Sequence, residues 1–181
     1  MKRKLAVDID NTIWDLVTPW LNYYNRRHND DVKYEDVTEY SFFDIIKNIT
    51  REEMLGLLNE NEFWSEVKPY PDSYKYLKKL NDEFELYIAT STSYRTPREK
   101  FDKLFTFFDF LTEDQLITIS KKQLLNVDIM IDDCVDCLVS GNYTKLLIDT
   151  PYNRDVADDT LIRVKDLKDA YEFLQGIKNG G

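Results

Sequence analysis

The sequence has very few of the residues that disulfide-linked or zinc-dependent folds require. Its 181 residues include two cysteines, Cys134 and Cys137, and a single histidine, His28. A structural zinc site takes four ligands, mostly Cys and His. We therefore interpret the C-x-x-C spacing as two small residues one helical turn apart, rather than as half of a zinc site or a redox pair. A chain of this length can bury a core large enough to fold without disulfides or a structural metal.

Long apolar runs and positive charge are also scarce. No apolar stretch approaches the roughly 20 residues of a membrane-spanning helix. The run that follows the basic residues 2–4 stops after three positions at Asp8, which is too short for a signal peptide. Acidic residues number 34 against 24 Lys and Arg, whereas proteins that track long nucleic acid carry basic faces. We therefore expect a cytoplasmic protein with neither a membrane nor a long nucleic acid as partner; a homodimer is compatible with the sequence.

What the sequence does contain is an alternation of strand-like and helical segments. Its hydrophobic fraction of 43% excludes a disordered chain. Apolar runs of the length expected for buried parallel strands occur at residues 5–10, 85–91, 127–133, 145–149 and 160–164. Helical patterns lie between and after them, at residues 71–81, behind a capping box at Thr96, and at 166–177. The alternation predicts an α/β fold with a doubly wound parallel sheet.

One long segment interrupts this alternation. Nearly sixty residues separate the first predicted strand from the next, far more than a plain crossover needs. A helical stripe is formed by Ile13, Leu16, Val17, Trp20, Leu21 and Tyr24. A second capping box, at Thr50, predicts another helix. We therefore predict a core of residues 1–13 and 71–181, with a small, mainly helical cap, residues 14–70, inserted after the first strand.

Polar residues end three of the predicted strands. They are Asp8 with Asp10, Thr90 with Ser91, and Asp132 with Asp133. Because ligands of an open parallel sheet bind at the carboxyl ends of its strands, these side chains are expected to converge. Four carboxylates at one point repel each other unless a cation neutralises them, and Mg²⁺ suits such a set together with a substrate phosphate. Lys121 and Lys122, just before the third strand, are placed to hold that phosphate.

These residues resemble the four motifs of the haloacid dehalogenase superfamily of phosphatases, in order. The motifs are residues 8–12, 90–91, Lys122 and 132–133. Within the superfamily the chain is most similar to the 5'(3')-deoxyribonucleotidases, with further likeness at residues 63–71, 86–91 and 151–154 and in the ten-residue spacing from Lys122 to Asp132. Cap aromatics match the pattern loosely, and Asp72 stands where a glycine is usual.

The resemblance implies a role for each motif residue. Asp8 would be the nucleophile that forms an aspartyl-phosphate, and Asp10 the general acid and base. Mg²⁺ would be held by the Asp8 side chain, the Asp10 backbone carbonyl and the Asp133 carboxylate, with Asp132 behind them or as an alternate ligand. The phosphoryl oxygens would be bound by Thr90, Ser91 and Lys122.

The resemblance also implies a nucleotide substrate whose base stacks on aromatic residues of the cap. Phe43 and Trp64 are the candidates. If they stack on the base, replacing either by Ala should weaken nucleotide turnover and spare p-nitrophenyl phosphate. Packing inside the cap is the alternative for each ring.

Three other functions stay open at the level of sequence. The same fold could hydrolyse a sugar phosphate or another small phosphomonoester. A phospho-receiver domain also uses an acidic cluster, Mg²⁺, Thr or Ser and Lys, but its acidic pair lies on the first strand and its phosphorylated Asp on a later one, and it has no cap. A binding module could keep the fold without catalysis. Mg²⁺-dependent turnover separates the enzyme from the last two.

Overall fold

The computed structural model describes residues 1–40, 45–46, 49–92 and 98–179, which contain eight strands. They are β1 (Lys4–Val7), β2 (Trp14–Asp15), β3 (Lys68–Pro69), β4 (Glu85–Thr90), β5 (Leu116–Thr118), β6 (Ile129–Asp132), β7 (Thr144–Ile148) and β8 (Leu161–Val164). Six of them form one sheet in the order β5-β4-β1-β6-β7-β8, and every pairing in it is parallel. The predicted α/β fold with a doubly wound parallel sheet is confirmed.

The sheet follows from the apolar runs with one addition. All five runs become strands, and β1, which pairs with both β4 and β6, lies at the centre. Leu5, Ala6 and Val7 of β1 are fully buried, as expected of a strand covered on both faces. The edge strand β5 was not predicted, because its three residues are too short a run to show an apolar pattern.

Seven helices accompany the strands in the described part of the chain. They are α1 (Val17–His28), α2 (Arg51–Leu57), α3 (Asn61–Glu66), α4 (Ser73–Glu83), α5 (Arg98–Phe107), α6 (Val135–Val139) and α7 (Leu167–Asn179). Thr50 forms the predicted capping box of α2 with Glu53. The capping box predicted at Thr96 lies outside the described residues, and α5 begins at Arg98. None of these helices has the length and apolar character that crossing a bilayer requires.

The helical stripe predicted from Ile13 begins later than expected. Helix α1 starts at Val17, and residues 14–15 form β2 instead. The reason is Asn11, which has a left-handed backbone (φ 56°) and accepts hydrogen bonds through Oδ1 from the N–H groups of Leu16 and Val17. Its side chain thus satisfies N–H groups at the start of α1 and fixes where the helix begins.

The segment between β1 and α4 is closed at its base by a small second sheet. Strand β2 pairs antiparallel with β3, so the chain leaves and re-enters the core at neighbouring points. Within this segment Trp14, Trp20 and Trp64 are at most 2% exposed and belong to the same hydrophobic cluster as the sheet. The arrangement agrees with an inserted cap, and the division at residues 14–70 stays a prediction.

Asp72, where the resemblance leads us to expect glycine, has a backbone conformation that suits glycine. Its φ is 63°, in the left-handed region that glycine adopts without steric cost. Aspartate tolerates this region better than most residues. The departure from the family pattern therefore keeps the tight turn before α4.

Candidate active site

The centre of the site is Asp8, the first residue after β1. Its N–H donates to the Ile131 carbonyl of β6 over 2.9 Å, which continues the sheet pairing past the end of the strand. The residue is 5% exposed. Lys122 Nζ lies 2.6 Å from Asp8 Oδ1 and 2.8 Å from Asp132 Oδ2. The central strands therefore place the carboxylates and this buried lysine in contact, as the sequence predicted.

Three carboxylates converge here closely enough to share one cation. Asp8, Asp132 and Asp133 each offer an oxygen, and these oxygens lie within 4.8 Å of one another. Burial, opposed by Lys122 and reinforced by Asp132, raises the pKa of Asp8 to about 7. Burial and the charges of Asp132 and Asp8 raise the pKa of Asp133 well above its ordinary value. The positive charge of Lys122 alone thus does not neutralise the three carboxylates. Their oxygens form a ligand set that fits a hard divalent cation.

The two adjacent aspartates have different partners. Asp132 uses both oxygens within the protein, because Oδ2 binds Lys122 and Oδ1 accepts from the Cys134 N–H over 3.0 Å. Asp133 accepts a hydrogen bond from the Tyr152 hydroxyl on Oδ2. This difference favours Asp133 over Asp132 as a direct metal ligand.

A turn after β7 holds the Asp133 loop in place. Besides Tyr152, it supplies Asn153, whose amide donates to the Asp133 carbonyl over 2.9 Å and to the Ile148 carbonyl over 2.8 Å. Arg163 of β8 in turn donates to the Asn153 carbonyl over 2.6 Å. The sequence marked residues 151–154 by resemblance alone, and the structure gives them this positioning role.

A second buried lysine, which sequence reasoning missed, contacts Asp10. Lys100 of α5 is 3% exposed, and its Nζ lies 2.5 Å from Asp10 Oδ2 and 3.2 Å from Thr90 Oγ1. Trp14 Nε1 donates to Asp10 Oδ1 over 2.9 Å. Both oxygens of Asp10 are therefore oriented by the protein. Thr90 is fully buried behind Lys100, whereas Ser91 is exposed at the end of β4.

A cavity of about 780 Å³ opens beside these residues. Asp10, Ser91 and Lys100 line it on the side of the sheet. The segment between β1 and α4 also lines it, with the apolar residues Leu16, Leu55, Gly56, Leu58 and Trp64 and the polar residues Arg51, Glu52 and Asn59. A volume in this range is usual for pockets that bind small organic ligands. Residues at the carboxyl ends of the strands and residues of the inserted segment thus line one space.

The structure describes only one of the two residues predicted to stack on the base. Phe43 lies outside the described residues, so its role stays a prediction. Trp64 lines the cavity but is only 2% exposed, and its indole N–H donates to the Leu58 carbonyl over 2.8 Å. Its ring also packs against Trp14 and Phe63. These contacts favour a core role for Trp64 and leave little of the ring for a ligand.

Comparison with known proteins decides the family. The sequence model described as "5' nucleotidase, deoxy (Pyrimidine), cytosolic type C protein" matches residues 2–179. The chain belongs to this family. The resemblance drawn from the motifs is thereby confirmed, and so is the prediction of a phosphatase enzyme.

The similarity of this nucleotidase family member to curated relatives extends over nearly its full length. It is 24% identical to the 5'(3')-deoxyribonucleotidase of Clostridium acetobutylicum over 178 residues, which cover 98% of each chain. It is 26% identical to the 5'(3')-deoxyribonucleotidase of Bacillus subtilis over 166 residues, 91% of this chain and 94% of the relative.

Solved structures agree on the fold. A haloacid dehalogenase-like hydrolase from Streptococcus pneumoniae has a TM-score of 0.64 at 16% identity, covering 95% of this chain and 98% of its own. The HAD-hydrolase YfnB of Bacillus subtilis, bound to magnesium, has a TM-score of 0.58 at 17% identity, covering 96% and 99%. At these identities the likeness establishes the fold alone.

Lys100 gives a first prediction for this member of the nucleotidase family. Lys100→Met removes the charge that faces Asp10 while keeping most of the side-chain volume. We expect kcat to fall by roughly 10²–10³-fold, as when one stabilising donor is removed from an active site. Phosphate release under saturating substrate measures it. Lys103→Met, in the same helix, is the matched control, because Lys103 donates instead to the Val67 carbonyl; equal kcat values for the two variants would contradict the assignment.

Trp64 gives a second prediction, now for stability. Since its ring is buried, Trp64→Ala should lower the free energy of unfolding by about 3–5 kcal/mol, as for other buried Trp residues. Activity on a nucleotide and on p-nitrophenyl phosphate should then fall together. Urea unfolding and the two activities are measured on the same preparation. A loss confined to the nucleotide, with unchanged stability, would assign the ring to base stacking after all.

The two cysteines lie directly after the acidic pair. Cys134 precedes α6 and Cys137 lies within it, and the two free thiols are in contact, with 2.8 Å between the sulfur atoms. Both are therefore small residues packed near one helix start, and the site described above uses only the Cys134 backbone N–H.

Proposed function

We propose that the protein hydrolyses deoxynucleoside monophosphates in a Mg²⁺-dependent reaction with an aspartyl-phosphate at Asp8. The observation that carries the proposal is the position of Asp8. It is buried, in contact with Lys122, and grouped with two further carboxylates at the end of the central strand. The cavity lies next to this group and is lined by Asp10, the residue that would move protons.

The donor set fits Mg²⁺ by charge and by type. Three buried carboxylates face one lysine, and Mg²⁺ prefers oxygen ligands. Asp8 and Asp133, with the backbone carbonyl of Asp10, would hold the ion, while Asp132 would stay bound to Lys122. When bound, the ion would neutralise the negative charge of these carboxylates and of the substrate phosphate.

Asp8 and Asp10 would then divide the reaction into two displacements. In the first, an oxygen of Asp8 forms a bond to phosphorus, the ester P–O bond breaks, and Asp10 donates a proton to the departing alcohol. In the second, Asp10 takes a proton from water as that water attacks phosphorus, so that the Asp8–phosphate bond breaks and phosphate leaves. Asp10 ends protonated, ready for the next cycle.

Lys122 and Ser91 would hold the phosphoryl group during its transfer. Lys122 contacts Asp8 directly, and the exposed Ser91 lines the cavity. Both can contact phosphoryl oxygens that gain negative charge during transfer. Thr90 is buried against Lys100 and would position that lysine beside Asp10.

The size of the cavity and the named relatives support a nucleotide as the substrate. The cavity offers more room than a phosphate needs, and its lining includes the aliphatic side chains of Leu16, Leu55 and Leu58 beside polar ones. Both curated relatives named above are deoxyribonucleotidases. We place the reaction in the cytoplasm, where nucleoside monophosphates are available.

The test is phosphate release from a panel of deoxynucleoside, ribonucleoside and sugar monophosphates, with Mg²⁺ or with a chelator. The proposal predicts that deoxynucleoside monophosphates give the highest kcat/KM and that the chelator abolishes turnover. Preference for a sugar phosphate would keep the catalytic mechanism but replace the substrate. Turnover that persists with the chelator would contradict the role of the metal.

A further inference from the structure

A glycine within a helix stands on the cavity wall without any backbone reason for being glycine. Gly56 is the sixth of the seven residues of α2. Glycine is among the least favourable helix residues. No glycine in the described residues has a positive φ, and the helix is ended by Leu58 in the right-handed helical region, so Gly56 is not a left-handed cap. Neither of the usual conformational uses of glycine applies here.

Close packing does not explain the glycine either. A Cβ atom built on Gly56 meets no atom within 4 Å, so a side chain would not collide with the protein. Gly56 lines the cavity together with Leu55 and Asp10, so this open space is found at the cavity wall. Leu55 next to it is 47% exposed, unusual for leucine. The missing side chain therefore adds volume to the site rather than relieving a clash.

The wall around Gly56 has an aliphatic part that suits a flat, weakly polar group. Leu16, Leu55 and Leu58 contribute aliphatic side chains there, whereas Arg51, Glu52 and Asn59 contribute polar ones. Asp10, Ser91 and Lys100 line the same cavity. A ligand with a phosphate at one end and an apolar ring at the other would occupy both regions. A nucleoside monophosphate has this construction.

We propose that Gly56 is a specificity-determining residue, whose missing side chain leaves the room that the nucleobase occupies. This inference rests on the proposed nucleotidase function and adds to it the place of the base. The base would lie against α2, between Leu55 and Leu16, and not on the buried Trp64. Because the base is larger in a purine nucleotide, any group added at Gly56 should act more strongly on purine substrates.

The experiment compares Gly56→Ala and Gly56→Leu with the wild-type enzyme. Each is assayed on a purine and a pyrimidine deoxynucleoside monophosphate and on p-nitrophenyl phosphate. We expect the ratio of kcat/KM for nucleotide to that for p-nitrophenyl phosphate to fall about tenfold in Gly56→Ala, a typical effect of overfilling a packed site. It should fall further in Gly56→Leu, and more for the purine. The loss should appear mainly in KM.

Thermal unfolding distinguishes this role from a structural one. Because alanine is the better helix residue and no atom obstructs it, Gly56→Ala should raise the Tm by about 2–4 °C while lowering nucleotide turnover. Gly176→Ala is the matched control. Gly176 is also helical, in α7, and a Cβ there likewise meets nothing within 4 Å, but it is not among the residues that line the cavity. Its Tm should rise similarly with the activity ratio unchanged.

Three results would overturn the inference, and only the third would also overturn the proposed function. If both Gly56 variants keep the wild-type activity ratio while the wild-type enzyme hydrolyses nucleotides, the base does not use this space and the proposed function stands. If the variants lose both activities equally and unfold at lower temperature, the glycine is structural. If the wild-type enzyme hydrolyses no nucleotide, the proposed function fails and this inference fails with it.

Discussion

Asp8→Asn is expected to remove turnover almost completely while leaving the protein folded. The amide is nearly isosteric with the carboxylate but is a poor nucleophile, so no aspartyl-phosphate forms. Loss of a covalent nucleophile lowers kcat by several orders of magnitude, roughly 10⁴–10⁶-fold in comparable hydrolases. Phosphate release and circular dichroism are measured on the same sample.

The stability of this variant follows from the pKa of Asp8. Burial raises that pKa from 3.8 to about 7, so in the metal-free protein the ionisation of Asp8 lowers the free energy of unfolding as pH rises from about 4 to about 7, and the full cost is present above 7. A neutral amide removes this cost, and Lys122 keeps Asp132 as a partner. We therefore expect no loss in the free energy of unfolding at pH 8. Asp128→Asn is the matched control, because Asp128 accepts from the Lys4 N–H at the other end of β1. Activity of Asp8→Asn above a few per cent would contradict the nucleophile assignment.

Asp10→Asn is expected to lower kcat by roughly 10²–10⁴-fold, the usual contribution of a general acid or base. Mg²⁺ affinity should largely persist, because the proposed metal contact of Asp10 is its backbone carbonyl. Calorimetric titration of Mg²⁺ checks this. Loss of Mg²⁺ binding together with activity would make the Asp10 carboxylate a metal ligand instead.

The choice of leaving group separates the two roles of Asp10. The p-nitrophenolate group leaves without a proton, so the first displacement should be nearly normal in Asp10→Asn. The second displacement still needs a base to activate water. We expect a burst of p-nitrophenol close to one equivalent per enzyme, followed by slow turnover. Slow release without a burst would mean that Asp10 is needed equally in both displacements or only in the first.

The parts of the site that lie at strand ends could be predicted from the sequence. Asp8, Asp132 and Asp133 follow apolar runs that form central strands, and topology alone brings such strand ends together. Lys122 was found because it precedes one of these strands at a recognisable spacing. These residues depend on local pattern and on the order of strands, which a sequence contains.

The parts that depend on how helices pack could not be predicted. Lys100 and Lys103 are alike in sequence and three residues apart on α5, yet one reaches Asp10 and the other the Val67 carbonyl. The sequence leaves both a stacking role and a core role open for Trp64, and the hydrogen bond from its indole N–H to the Leu58 carbonyl favours the core role. The role proposed for Gly56 depends on the cavity that it lines, and the sequence does not show that cavity.

If Asp8 carries the phosphoryl group during turnover, that group can be trapped on the protein at position 8. The enzyme is mixed with a radiolabelled deoxynucleoside 5'-monophosphate and Mg²⁺ and quenched in acid within a single turnover. One portion is counted for label on the protein, and a second is reduced with borohydride, which releases the phosphate and leaves homoserine, and is mapped by mass spectrometry. We expect label on the protein and homoserine at position 8. Both should be absent in Asp8→Asn, and homoserine should accumulate in Asp10→Asn with p-nitrophenyl phosphate as substrate. Phosphate release without any labelled protein, or label at Asp132 or Asp133, would contradict this role of Asp8.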